Sequence, residues 1–166
     1  MPDQIQAAIP PSTTNRAPMY ATTVVLDVRC DAHHAFDHIA RGFFQNHSRW
    51  DPAVLEMIRD DDGPVGLGTT GREVRQVPGN RVVSAVRVTT FEPDRRFAFR
   101  TTSGPMLEAV DWTVEATPAG SRVTMALAFT PLTMPMRIMA PLLRRQIPRN
   151  VRANAERLRA ALDSEI

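Results

Sequence analysis

From Ala53 to Phe129 the chain keeps a two-residue hydrophobic period through successive short segments, and from Thr130 onward it changes to the helical period. That switch constrains the fold more than any other feature. Turn residues break the alternating region at Asp60–Gly68, Pro78-Gly79-Asn80, Pro93-Asp94, Ser103-Gly104-Pro105 and Pro118-Ala119-Gly120. Spacing this regular predicts an antiparallel meander. One strand-like run and two short helical pieces precede it. A curved sheet wrapped around a terminal helix satisfies this order, and such an arrangement can enclose a cavity.

In the first run, Thr22–Cys30, Val24, Leu26, Val28 and Cys30 share one face, and Asp27 and Arg29 the other. Asp31 is placed to cap a helix over Ala32–Arg41, which Gly42 breaks. Phe43–Arg49 makes a second short helix that Pro52 stops. Six strands follow: Ala53–Asp60, Thr69–Val77, Arg81–Phe91, Arg95–Thr102, Met106–Ala116 and Ser121–Phe129. In the closing segment Met134, Ile138, Leu142, Ile147, Val151, Leu158 and Leu162 mark an apolar stripe. Pro135, Pro141 and Pro148 predict a broken entry and a regular helix from about Arg149. Residues 1–20 are polar, Pro-rich and aperiodic, and read as a disordered leader before a single domain over 21–166.

Several classes of function find little support. No apolar run approaches the roughly 20 residues of a membrane span, and the N-terminus lacks a signal peptide's apolar core, so a cytoplasmic protein is expected. All twenty basic residues are Arg, which removes Lys chemistry. The net charge of +2 gives no reason to expect a nucleic-acid partner. Cys30, the lone cysteine, reads as a small core residue. Gly66-Leu-Gly68-Thr-Thr-Gly71 has dinucleotide-fingerprint spacing but leads into a strand pattern, so it reads as a hairpin connection and no cofactor is expected. Asp60-Asp61-Asp62 lacks the alternation of a calcium loop. His34 and His38, one helical turn apart, read as surface histidines, and no metal is expected.

Three polar residues fall on faces expected to be concave: Glu108, in phase with Val110 and Trp112; Arg72, assigned the face of Val74; and His47, beside Trp50 on the short helix. Ionisable groups on an apolar wall have perturbed proton affinities and suit acid–base roles, whereas rim residues facing water would not. Seven Arg between Arg137 and Arg159 face only Glu156 in that span. A solvated outer helix face is the leading reading there, and membrane contact the lesser one.

The motifs resemble the SRPBCC superfamily of START-like helix-grip proteins, in particular the bacterial polyketide cyclase/dehydrase and lipid transport branch. The resemblance runs from Ala21 to Glu165. It rests on Cys30-Asp-Ala-His-His-Ala-Phe36-Asp-His-Ile39, Arg49-Trp50-Asp51-Pro52, Gly63-Pro-Val-Gly-Leu-Gly68-Thr69, Phe91-Glu92-Pro93-Asp94-Arg95-Arg96-Phe97, Gly120-Ser121-Arg122-Val123-Thr124 and the closing Arg144-Arg145, Leu158 and Glu165. These are turn and packing signatures, so they transfer fold and not chemistry. The resemblance implies an α+β helix-grip fold: a curved antiparallel sheet around a long C-terminal helix, with two short helices after strand 1. It also implies a hydrophobic small-molecule partner, lipid- or polyketide-like. Trp50, Val86, Phe97, Phe99, Val110, Trp112, Met125, Leu127, Ile138 and Leu142 are expected to line or back the cavity. The alternative is a polyketide cyclase or dehydratase in which His47, Arg72 and Glu108 are the catalytic candidates. A monomer and a homodimer both remain open.

Overall fold

The computed structural model describes residues 16–164. Strand β1 (Tyr20–Val28) leads to α1 (Ala32–Phe36), a π-helical turn over Asp37–Arg41, and α2 (Phe43–Trp50). Strands β2 (Val54–Arg59), β3 (Thr70–Val77), β4 (Asn80–Glu92), β5 (Arg96–Thr101), β6 (Met106–Thr117) and β7 (Gly120–Pro131) follow. The short α3 (Met134–Ile138) and the long α4 (Ala140–Ser164) close the chain. The leader expected over 1–20 falls largely outside the described residues. Within them, the Met19 N–H already donates to Phe129 O at 2.7 Å, joining β1 to the sheet's ladder.

All seven strands form one antiparallel sheet in the order β1-β7-β6-β5-β4-β3-β2. It wraps α4, with α1 and α2 after strand 1, so the expected α+β architecture is the one observed. Register aligns the inward positions across strands: Phe97 opposite Trp112, Trp112 opposite Met125, Val110 opposite Leu127. Against this face α4 buries Leu143, Ile147, Val151, Ala155, Leu158 and Leu162, at the three- and four-residue spacing of one helix face. Burying each of the larger of these side chains contributes about 1.5–3 kcal/mol, so this one helix face is a substantial part of the core.

Two helical details depart from expectation. The helix over Ala32–Arg41 changes to π-helix at Asp37, and His38 is buried instead of lying on a surface face. More consequentially, α4 does not wait for Arg149. It runs unbroken for 25 residues with Pro148 inside it. Pro148 removes one backbone donor and crowds the carbonyl four residues back. Leu143, Ile147 and Val151 bury on both sides of it, and that packing holds the helix through the defect.

Gly71 sets the position of α2. A Cβ there would stand 2.4 Å from Ile58 O and 2.5 Å from Phe44 Cε1. The bare backbone of β3 is what lets Phe44, and with it α2, press onto the sheet.

Candidate functional site

Helix α2 buries Phe43, Phe44, His47 and Trp50, one face over two turns. The His47 and Trp50 rings lie 4.2 Å apart between centroids, and Trp50 meets Trp112 of β6 edge-on at 5.6 Å. Asp51 ends the helix and folds back: its Oδ1 accepts from the Ala53 N–H at 3.2 Å, which fixes the carboxylate at the start of β2. The short helix thus delivers an imidazole, an indole and a carboxylate to one end of the sheet.

There they meet Arg75 of β3. Its Nη1 donates to Asp51 Oδ2 at 2.9 Å, and its Nε donates to Glu73 Oε1 at 2.7 Å. Glu108 Oε2 of β6 lies 3.7 Å from Arg75 Nη2, a distance for charge attraction but not for a hydrogen bond. His47 Nε2 is 3.8 Å from Asp51 Oδ2. Three carboxylates therefore share one guanidinium, and the Glu73 side chain is only 2% exposed.

The groups respond differently to this crowding. Burial raises the Glu108 carboxyl, to about 8; Arg75 opposes the rise, and the nearby Glu73 and Asp51 charges add to it. Burial also works against ionising Asp51, but the His47 imidazole and the Arg75 guanidinium outweigh it, leaving that carboxyl below its usual range. Arg75 is likewise disfavoured by burial, yet the charges of Glu108, Glu73 and Asp51 hold its proton more firmly than usual. One wall thus carries a proton-retaining acid beside a firmly ionised ion pair.

This cluster borders a cavity of about 160 Å³ between the sheet and α4. Trp50, Phe99, Val110, Trp112, Met125 and Leu127 line it, as do Leu143, Ile147 and Val151 of α4. At the rim are Gln146, Asn150 and Asn154, one helical turn apart. Three buried ring nitrogens in this lining, His47 Nδ1, Trp50 Nε1 and Trp112 Nε1, have no hydrogen-bond partner among the described residues. Buried ring N–H groups of this kind are normally hydrogen-bonded, which makes this wall the polar part of the lining.

Sequence-derived assignments fare unevenly against this geometry. Val86 and Phe97 are buried behind the lining, at 2% and 0% exposure. Ile138 and Leu142 do not reach the cavity: they are 74% and 48% exposed, and Met136, Leu143 and Ile147 take the inward positions. The stripe drawn from sequence mixes two faces because Leu142 and Ile147, both in α4, are five positions apart, more than one turn, and so point to different sides. Arg72 faces outward, with Gly71, Glu73 and Arg75 on the cavity side of β3. Val74 suggested the wrong parity; here an apolar residue faces out and two charged residues face in, an inversion of the usual pattern. Sequence reasoning missed Asp51, Glu73 and Arg75. The available signal was the two-residue spacing of Glu73 and Arg75, which puts opposite charges on one strand face.

A second group, His33, Asp37 and Asp94, brings three potential ligand atoms within 4.8 Å of one another. Arg41 Nη1 already bonds Asp37 and lies 3.3 Å from Asp94, so a cation fills the place a metal would take.

The sequence profile of the polyketide cyclase / dehydrase and lipid transport family matches residues 19–163, nearly all of the described chain. The chain belongs to this family. Three solved structures share the sheet-and-helix frame of this chain. The Zhui aromatase/cyclase of Streptomyces sp. R1128 superposes with a TM-score of 0.66 at 15% identity, over 86% of this chain and 92% of that one. A START superfamily protein from Mycobacterium smegmatis gives 0.64 at 10% identity, over 88% and 99%. Ara h 8.0201 gives 0.64 at 11% identity, over 87% and 98%. Identities this low establish common architecture alone. None of the curated proteins compared with the sequence matches it.

Proposed function

We propose that this family member binds a hydrophobic small molecule in the cavity between the sheet and α4, with a polar group of the guest directed at Arg75, Glu108 and His47. The observation that carries this reading is a cavity walled by aromatic and aliphatic side chains with one buried polar cluster, the usual composition of a small-molecule site. At about 160 Å³ it is close to the roughly 150 Å³ that accepts one benzene-sized guest. A ring or a short branched chain fits; anything larger extends through the rim past Asn150. The test is titration with a neutral apolar dye, displaced by candidate guests, together with Ile147→Phe to fill the space. Saturable binding that Ile147→Phe abolishes supports the reading, and binding unchanged by it places the guest elsewhere.

The enzymatic alternative is a cyclase or dehydratase acting on a polyketide-like chain. What favours it is Glu108, a carboxyl that keeps its proton near neutrality, lining the same cavity as the His47 imidazole. In a dehydration, His47 takes the proton alpha to a carbonyl and Arg75 holds the enolate oxygen. The electron pair then returns to expel the beta hydroxyl, which leaves as water with the proton of Glu108. Glu108→Gln would abolish turnover and leave affinity nearly intact; unchanged turnover removes Glu108 from the chemistry.

A further inference from the structure

The two residues that the fold displaces from the cavity, Ile138 and Leu142, define a surface of their own. With Met134 they stand four residues apart and are 62%, 74% and 48% exposed for Met134, Ile138 and Leu142 respectively. The backbone stays close to helical across the α3–α4 junction: Met139 N–H donates to Pro135 O at 3.0 Å, and Leu143 N–H to Met139 O at 3.0 Å. The three side chains therefore form one stripe on the outside of an elbow whose inner side, Met136 and Leu143, lines the cavity. Isolated exposed apolar residues are ordinary; an ordered row of large ones marks a contact surface.

Charge indicates what makes the contact. Residues 132–155 contain five Arg (137, 144, 145, 149 and 152) and no acidic residue, while the whole chain carries a net +2, so the remainder is net negative. Arg144, Arg145, Arg149 and Arg152 are exposed and Arg137 is half-buried. A symmetric contact with a second copy would set these arginines against their own equivalents. An apolar row flanked by guanidinium groups fits a surface of anionic headgroups over acyl chains. Among the described residues no helix is long and apolar enough to cross a membrane, so the contact is peripheral.

We infer that the α3–α4 elbow docks on an anionic lipid surface, with Met134, Ile138 and Leu142 entering the acyl boundary and the surrounding arginines engaging phosphate headgroups. The surface stands apart from the cavity lining, so docking and guest binding can be tested separately.

The experiment is co-sedimentation of the full chain with vesicles of phosphatidylglycerol and phosphatidylcholine, against phosphatidylcholine alone, at low and physiological salt. The wild type is expected to sediment with the anionic vesicles and to be released as salt rises. Ile138→Asp with Leu142→Asp is expected to lower vesicle affinity roughly tenfold or more, since the row loses its apolar area. Dye binding in the cavity and the melting temperature should stay at wild-type values, because both sites are exposed. Arg144→Glu with Arg145→Glu should remove the preference for anionic vesicles. The inference is overturned if the wild type ignores anionic vesicles at low salt. It is equally overturned if the Ile138 and Leu142 variant sediments like the wild type, or if that variant instead disperses a dimer seen by sedimentation velocity. Docking without dye binding would sink the cavity reading and leave this one standing.

Discussion

Arg75 Nη1 and Asp51 Oδ2, 2.9 Å apart, tie the middle of β3 to the end of α2. The pair joins the helix that carries His47 and Trp50 to the strand that carries Glu73, so the polar wall is assembled by contacts between elements distant in sequence.

Removing Arg75 should therefore cost far more than one surface cation. Arg75→Met leaves Glu73 and Asp51 buried without their counter-charge, a loss of about 3–5 kcal/mol. Arg72→Met, on the outward face of the same strand, should stay within about 0.5 kcal/mol of wild type. Urea unfolding of the two variants measures the contrast, and equal losses would contradict the parity of β3.

Stability should also depend on pH through Glu108. Its folded carboxyl is raised from 4.5 to about 8, so over that interval the folded state binds more protons than the unfolded chain. Stability then falls as pH rises through this window. Glu108→Gln removes the term: it should raise the melting temperature by several degrees near pH 8 and change it little near about pH 5. Asp51 acts in the opposite sense, since its lowered carboxyl contributes stability above the ordinary carboxylate range that is lost as pH falls below it. Thermal melts across pH give both limbs, and a flat difference between wild type and Glu108→Gln would refute the assignment.

Gly71→Ala should loosen α2. The added methyl meets Ile58 O at 2.4 Å and the Phe44 ring at 2.5 Å, and overpacking of this kind costs about 1–3 kcal/mol. Because α2 carries Trp50, the variant should also shift tryptophan emission toward that of exposed indole. Unchanged emission and stability would mean that the helix does not seat on β3.

Pro148→Ala should stabilise. It restores a backbone donor within a 25-residue helix and relieves the crowding of the preceding turn, a gain of about 1–3 kcal/mol. A loss of stability would show that the core around Ile147 requires a bend at this residue.

Much of the architecture was legible because the sheet keeps strict alternation. Val110 and Trp112, or Met125 and Leu127, sit two apart on faces that the turns place unambiguously, and Glu108 follows from the same phase. Legibility failed where local pattern and tertiary demand disagree. On β3 the apolar Val74 turns out and the charged Glu73 and Arg75 turn in, because they pair with each other and Arg75 also finds Asp51 and Glu108, partners distant in sequence. The cluster needs Asp51, 24 positions away from Arg75, and Glu108 on a strand three hairpin turns further on. In the closing helices the apolar residues form two rows, Met134, Ile138 and Leu142 on one side and Leu143, Ile147 and Val151 on the other, and the helical period alone does not say which row meets the sheet.

The pairing of β1 with β7 carries a consequence for how the chain reaches its native state. Strands β2 to β7 follow one another as hairpins and can form as they are synthesised, but Val24 and Leu26 wait for Met125 and Val123, about a hundred residues later. Until the final strand emerges, the first one offers an unpaired apolar edge to any neighbour. Completion at the N-terminus thus waits until β7 has emerged. Crowded ribosomes, where nascent copies sit side by side, are where misassembly of this protein should begin.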